Sequence, residues 1–137
     1  MYRPRHFSLL ELIDTHHTVL QNNIPDWYSL ENLLSLCEKI LDPLREAYGK
    51  PLFVNSGYRS SFLNKSVGGV SVSQHLVGCA ADLSVGSDRS DRSLSELFNL
   101  VQELHLPFDQ LIYYKKRKFI HVSWSPYPRS QVIVRNA

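Results

Sequence analysis

Short runs rich in β-branched or aromatic residues constrain the fold of this chain more than any other feature. Their length, and the glycine, proline or serine residues around them, are typical of strands rather than helices. The five runs are PLFVNS, AADLSV, FDQLIYY, KFIHVSW and QVIVR. Only a few lysine and arginine residues separate FDQLIYY from KFIHVSW, which predicts an antiparallel hairpin with the run KKRK at 115–118 as its solvated tip.

Apolar residues recur at three- and four-residue steps elsewhere in the chain, which predicts amphipathic helices. The first helix covers roughly residues 8 to 21, with Ser8 as its cap. The second runs from a Ser29 cap to Gly49, and Pro43 is expected to bend it.

A third helix follows Ser90 or Asp91 and falls between the predicted strands. This arrangement favours an α+β fold with a small, mostly antiparallel sheet packed against helices. With 137 residues, 43% of them hydrophobic, the chain has the size of one globular domain and can bury a core. We therefore expect a single domain over residues 1–137.

Charge and hydropathy argue against two kinds of partner. The net charge of +2 is too weak an imbalance to indicate nucleic acid, and no segment approaches the roughly 20 apolar residues of a membrane span. The N-terminus has no uninterrupted apolar run, so we expect no signal peptide.

Cys37 and Cys79 have no CxxC partner and are interpreted as buried thiols. We expect a monomer.

Three polar residues stand in unusual surroundings. His75 follows the glycine- and serine-rich loop VGGVSVSQ, and Asp82 comes seven residues later, after small or apolar side chains. His121 lies in a predicted strand, where alternation places it on the face opposite Ile120 and Val122, the expected core residues. A buried histidine or aspartate needs a partner, because burying a charge alone is costly.

Two histidines and one carboxylate are a common ligand set for catalytic zinc, with a fourth position left open. A loop and a following strand could both reach one ion from His75 and Asp82. The alternative is a histidine and an aspartate that are simply hydrogen-bonded in the interior. These residues alone leave both possibilities open.

The segment VNSGYRSSFLNKSVGGVSVSQHLVGCAADLSV, followed by FDQLIYYKKRKFIHVSW, resembles the zinc DD-peptidase superfamily of peptidoglycan enzymes. This superfamily includes VanX-type and VanY-type D-alanyl-D-alanine carboxypeptidases and phage endolysin-like peptidases. The likeness covers about residues 41–124, and the pattern SxHxxGxAxD with a later strand histidine carries it. It implies a small antiparallel sheet on helices, as in Hedgehog and DD-peptidase domains.

The resemblance also implies roles for individual residues. One zinc ion per chain would be held by His75, Asp82 and His121. Arg59, in the motif SGYRS, would hold a carbonyl or carboxylate of the substrate. The site would be lined, beside the first ligand, by Ser73 and Gln74.

The resemblance does not identify a general base. Better-known branches of the superfamily carry Asp or Glu three residues before the last histidine, where this chain has Lys118. A hairpin turn at 115–117 would pair Leu111 with His121 and place Asp109 diagonal to His121, making Asp109 a candidate base. A two-residue turn would put Gln110 there instead. Water activated by zinc alone, or an inactive site, are the alternatives.

The resemblance thus implies a zinc-dependent peptidase that hydrolyses an amide bond in peptidoglycan, in a stem peptide or a cross-link. It could be a D-Ala-D-Ala carboxypeptidase or a murein endopeptidase of the endolysin type. The alternatives are a catalytically silent, zinc-containing domain that binds wall peptides, and a structural module of a phage or secretion particle. We expect synthesis in the cytoplasm and action at the cell wall, by phage-type release or after removal of a leader.

Overall fold

A mixed, five-stranded sheet organises the protein. The computed structural model describes residues 1–15, 20–70, 72–86 and 91–137. The strands are β1 (Leu52–Ser56), β2 (Ala80–Val85), β3 (Phe108–Tyr114), β4 (Phe119–Trp124) and β5 (Gln131–Arg135). They lie in the order β1-β2-β4-β3-β5, and every neighbouring pair is antiparallel except β3 and β5. The predicted strands and the α+β class are confirmed.

Helices precede the sheet in the chain and also connect its strands. They are α1 (Leu9–Ile13), α2 (Trp27–Leu36), α3 (Asp42–Tyr48), α4 (Ser61–Ser66) and α5 (Asp91–Glu103). A π-helical turn, Cys37–Leu41, joins α2 to α3, and short 3₁₀ turns occupy Leu20–Asn23 and Gln74–Val77. Helix α4 and the 3₁₀ turns were not predicted, because they are too short to show a periodic apolar pattern.

The first predicted helix is shorter than expected. Ser8 caps α1 in a reciprocal capping box with Glu11, as the sequence predicts. The helix nevertheless ends at Ile13, because Asp14 has an extended backbone. Residues 16–19 of the predicted helix, and Ser90 at the start of the third, lie outside the described residues.

The second predicted helix begins one turn early and changes its winding before Pro43. Asp26 is the cap, and its carboxylate accepts a hydrogen bond from the backbone N–H of Ser29, so the prediction of Ser29 as cap is wrong. The π-helical turn widens the backbone ahead of Pro43, which lacks an N–H and would clash in a regular α-helix. The helix ends at Gly49 as predicted, in the left-handed conformation with φ 74°.

The core lies between the helices and one face of the sheet. Helices α2 and α5 contact β4, and α5 packs against α3 and β2. Fully buried apolar side chains from both layers meet there, each contributing about 1.5–3 kcal/mol by leaving water. They include Leu33, Leu36, Ile40, Leu44, Leu97, Val101, Ile120 and Val122. Because Ile120 and Val122 face the helices, His121 points to the opposite face, as alternation predicts.

The β3–β4 hairpin has a different register from the predicted one. Its loop is the four-residue turn Lys115–Lys118, in which Lys118 has φ 60° and its N–H bonds to the carbonyl of Tyr114. Ile112 therefore lies opposite His121, and the pairing of Leu111 with His121 is wrong. The prediction assumed a shorter turn.

Cys37 and Cys79 are free and buried, as predicted. Among the described residues, no helix has the length and apolar character needed to cross a lipid bilayer.

Candidate functional site

His75, Asp82 and His121 converge on the sheet face that points away from the helices. Asp82 on β2 and His121 on β4 are direct cross-strand partners, while His75 comes from the 3₁₀ turn Gln74–Val77. Asp82 Oδ1 lies 3.3 Å from His75 Nε2 and 3.0 Å from His121 Nδ1. One donor atom from each residue lies within 4.8 Å of the others.

The two spacings between Asp82 and the histidines fit a zinc ion. Zinc bonds of about 2.0–2.1 Å arranged tetrahedrally separate neighbouring ligand atoms by roughly 3.3–3.4 Å. The two distances from Asp82 Oδ1 are close to that value before any adjustment of the side chains. Two imidazoles and one carboxylate are also a donor set that zinc accepts. The three residues could hold zinc and leave a fourth position open.

The ring of His75 is oriented by the backbone of Gly57. Nδ1 of His75 donates to the Gly57 carbonyl over 2.7 Å, which directs Nε2 at the cluster. His75 is only 3% exposed. A second bond runs from the backbone N–H of Arg59 to the His75 carbonyl, 2.9 Å away. The loop after β1 therefore fixes both the ring and the backbone of this residue.

The buried side chain of Asn23 also holds the loop after β1 in place. Asn23 is fully buried; its Nδ2 donates to the Tyr58 carbonyl, and its Oδ1 accepts from the backbone N–H of Ser60. These two bonds hold the residues on either side of Arg59. The position of Arg59 is therefore set by a side chain that comes from the 3₁₀ turn Leu20–Asn23.

Charge favours the ionised form of Asp82. Burial would raise its pKa, but the positive charge and hydrogen bonds of His75 and His121 outweigh burial and hold the pKa well below the ordinary value. The carboxylate is therefore ready to act as an anionic ligand at neutral pH.

Arg59 lies beside the cluster, in contact with the second oxygen of Asp82. Its Nη2 is 3.4 Å from Asp82 Oδ2, and its Nε donates to Ser56 Oγ over 2.9 Å. Arg59 also lines the groove described below. Its predicted role in holding a substrate oxygen stays a prediction.

The cluster opens into a groove of about 1010 Å³. Ser73 and Gln74, the predicted lining residues, are part of its wall. At the hairpin side, Tyr114 stacks on Phe119 with ring centroids 4.6 Å apart, and the Arg117 guanidinium lies over both rings. A groove of this volume has room for several residues of an extended peptide.

Asp109 does not occupy the place that the predicted register assigned to it. The residue is 4% exposed, and its carboxylate is paired with Arg129 at 2.8 Å. Hydrogen bonds from Arg129, which outweigh the effect of burial, lower the pKa of Asp109. The predicted register that placed Asp109 diagonal to His121 is wrong. The role of Asp109 as general base stays a prediction, which these contacts do not favour.

Sequence reasoning missed the residues that orient the site rather than form it. Gly57 supplies a backbone carbonyl, Asn23 is remote in the chain, and Arg129 lies in a proline-containing loop without a motif. Only Gly57 left a signal, since a glycine directly after a strand often marks a close backbone approach. A Cβ at Gly57 would lie 2.2 Å from the Leu12 carbonyl oxygen.

Comparisons with known proteins agree with this geometry. The model of the peptidase M15 family matches residues 6–123, which include all three residues of the cluster. A zinc D-Ala-D-Ala carboxypeptidase from Streptomyces albus G is 52% identical over 48 residues. That stretch is 34% of this chain and 19% of the relative, so the chain matches only a minor part of that protein. The chain belongs to the peptidase M15 family.

Proposed function

We propose that this protein is a zinc-dependent peptidase that hydrolyses an amide bond in peptidoglycan peptides, with one zinc ion per chain. The convergence of His75, Asp82 and His121 in a chain of the peptidase M15 family carries the proposal. The relative from Streptomyces albus G, a zinc D-Ala-D-Ala carboxypeptidase, supports a D-amino-acid-containing substrate. We also propose that the protein acts at the cell wall, as a monomer.

His75 Nε2, Asp82 Oδ1 and His121 Nδ1 would hold the ion. The chemistry that zinc supplies when bound is polarisation of a carbonyl and a lowered pKa of a water molecule. The protein fixes the ligand geometry beforehand: the Gly57 carbonyl sets the orientation of the His75 ring, and the β2–β4 pairing sets the distance between Asp82 and His121.

Arg59 would hold an oxygen of the substrate close to the ligands. Its guanidinium is charged at all relevant pH values and can form two parallel hydrogen bonds to a carboxylate or one to a developing oxyanion. The bond to Ser56 and the contact with Asp82 restrict the plane of the guanidinium. Such restriction reduces the entropy lost when substrate binds.

Digestion of purified peptidoglycan tests the proposal and identifies the bond. The zinc-loaded protein should release fragments that mass spectrometry can assign: free alanine from a carboxypeptidase, or separated stem peptides from an endopeptidase. His121→Ala should release nothing, while Arg92→Gln, on the exposed side of α5, should match the unmutated protein. Absence of any product from the zinc-loaded protein would contradict the proposed activity.

A domain that binds wall peptides without cleaving them is the second candidate. Among the described residues, the carboxylates that line the groove are Asp14 and Asp82. Asp82 belongs to the ligand cluster, and Asp14 Oδ1 accepts the backbone N–H of Thr15. Lys118 stands three residues before His121, where better-known branches carry an acid. Tight binding of stem peptide by the zinc-loaded protein, with no product after long incubation, would favour this candidate.

A further inference from the structure

Arg129 lies in the loop between β4 and β5 and forms part of the groove wall. Its backbone N–H and its Nε both donate to Asp109 Oδ1, at 2.9 and 3.0 Å, and its Nη2 donates to Oδ2 at 2.8 Å. The pair is bidentate, so the plane of the guanidinium is fixed relative to β3. The arginine side chain is 60% exposed, whereas that of Asp109 is only 5% exposed.

Asp109 has no acceptor position left for another partner. Its Oδ1 accepts two hydrogen bonds from Arg129, and its Oδ2 accepts one from Arg129 and one from Gln74 Nε2 at 3.0 Å. Two bonds to each oxygen use the usual capacity of a carboxylate. A group in this state is suited to holding other side chains in place, here Arg129 and the residue next to His75.

The guanidinium of Arg129 uses only one of its two outer edges for Asp109. The edge formed by Nε and Nη2 is occupied, which leaves the N–H groups of Nη1 and the second N–H of Nη2. In the described part of the chain, Nη1 makes no hydrogen bond. The remaining edge is a second fork of the kind that binds carboxylates by two parallel hydrogen bonds.

We propose that Arg129 is a specificity-determining residue that binds a carboxylate of the substrate peptide, and that Asp109 is its positioning residue. This rests on the proposed function, since peptidoglycan stem peptides offer two such groups, the α-carboxylate of D-glutamate and the C-terminal carboxylate. Asp109 offsets part of the charge of Arg129. Discrimination therefore depends mainly on the geometry of the hydrogen bonds, which a carboxamide cannot match on both sides.

Synthetic stem peptides test the proposal directly. The probes are the pentapeptide L-Ala-γ-D-Glu-L-Lys-D-Ala-D-Ala and two analogues, amidated either at the glutamate α-carboxyl or at the C-terminus. Binding to the zinc-loaded full chain is measured by calorimetry and hydrolysis by mass spectrometry. The free acid should bind about tenfold more tightly than one of the two amides, and the weaker amide identifies the carboxylate that Arg129 holds.

Variants assign the effect to Arg129. Arg129→Gln should bind all three probes with the affinity that the unmutated protein has for the weaker amide. Arg129→Lys should recover only part of the difference, because it keeps the charge without the fork. Asp109→Asn should reduce the preference for the acid while leaving affinity for the weaker amide unchanged, which a merely structural loss would not do. Arg92→Gln should keep the full preference.

The outcomes separate this proposal from the proposed function. Equal binding of all three probes by the unmutated protein overturns the role of Arg129, even if peptidoglycan is cleaved. A preference for the acid that persists at full size in Arg129→Gln also overturns it. A preference that disappears in Arg129→Gln supports the role of Arg129, even if no peptide is cleaved and the enzymatic function fails.

Discussion

Gly57→Ala tests whether a backbone carbonyl controls the metal site. The new Cβ would lie 2.2 Å from the Leu12 carbonyl oxygen, so the two backbone segments must separate by roughly 1 Å to reach an ordinary contact. This shift strains the 2.8 Å bond from Tyr58 N–H to the same oxygen. Overpacking costs about 1–3 kcal/mol and the weakened bond about 1 kcal/mol more, so we expect a loss of about 2–4 kcal/mol in the free energy of unfolding.

The same shift moves the carbonyl that orients His75. Loss of a partner that orients a metal ligand typically costs 10–100-fold in metal affinity, and we expect zinc affinity to fall within that range. Denaturant unfolding of metal-free protein gives the stability change. Competition with a chromophoric chelator gives the zinc affinity of the folded variant.

Two other glycines supply matched controls. A Cβ at Gly49 meets no atom within 4 Å, but the φ of +74° makes alanine unfavourable by roughly 1–2 kcal/mol, so Gly49→Ala should lose stability without losing zinc affinity. Gly86→Ala, whose Cβ would be 3.7 Å from Phe53, should change neither. If Gly57→Ala binds zinc as tightly as Gly49→Ala, the carbonyl of Gly57 does not orient the ligand.

Three further outcomes follow from the site and its surroundings. His75→Ala and His121→Ala should each abolish tight zinc binding in elemental analysis, because two protein ligands hold zinc poorly; near-stoichiometric zinc in either variant would contradict the ligand set. The pKa of Asp109 is lowered in the folded state, so its contribution to stability is present above the unfolded pKa of about 3.9 and is lost as pH falls through the folded pKa. The stability difference between the unmutated protein and Asp109→Asn should therefore stay constant above about pH 5 and shrink as the pH falls below about 4, and a constant difference in that acid range would argue against the ion pair. Burial raises the pKa of Cys79 to about 11 and also raises that of Cys37, so neither thiol should react with a thiol reagent at about pH 8 before unfolding; rapid labelling of folded protein would show that one is accessible.

Residue chemistry and alternation were enough to find the centre of the site. His121 could be placed on the face opposite the core because strand residues alternate, and burial of Ile120 and Val122 confirms the reasoning. The imidazole of His75 and the carboxylate of Asp82 then indicated a metal ion such as zinc as a possible ligand between them. These inferences depend only on local geometry and on ligand preference.

The errors lie where distant parts of the chain decide local structure. The hairpin register depends on Lys118 taking a φ of 60°, a conformation that a lysine does not signal. Arg129 could not be predicted as the partner of Asp109 from the sequence. The two residues meet only because β5, which follows Arg129, lies parallel to β3, which carries Asp109. The end of α1 at Asp14 was also unpredictable, since the apolar periodicity continues beyond it.

Because Asp82 pairs directly with His121, a bound zinc ion would favour the native register of β2 and β4. A slip of one residue between β2 and β4 would turn His121 toward the helices and Ile120 toward the groove, which separates the ligands. An ion that binds only the native alignment raises, by mass action, the population of that alignment relative to slipped alignments. Refolding in the presence of zinc should therefore give fewer misaligned, aggregation-prone chains than refolding in chelator. In this way the metal would assist the assembly of the sheet that carries its own ligands.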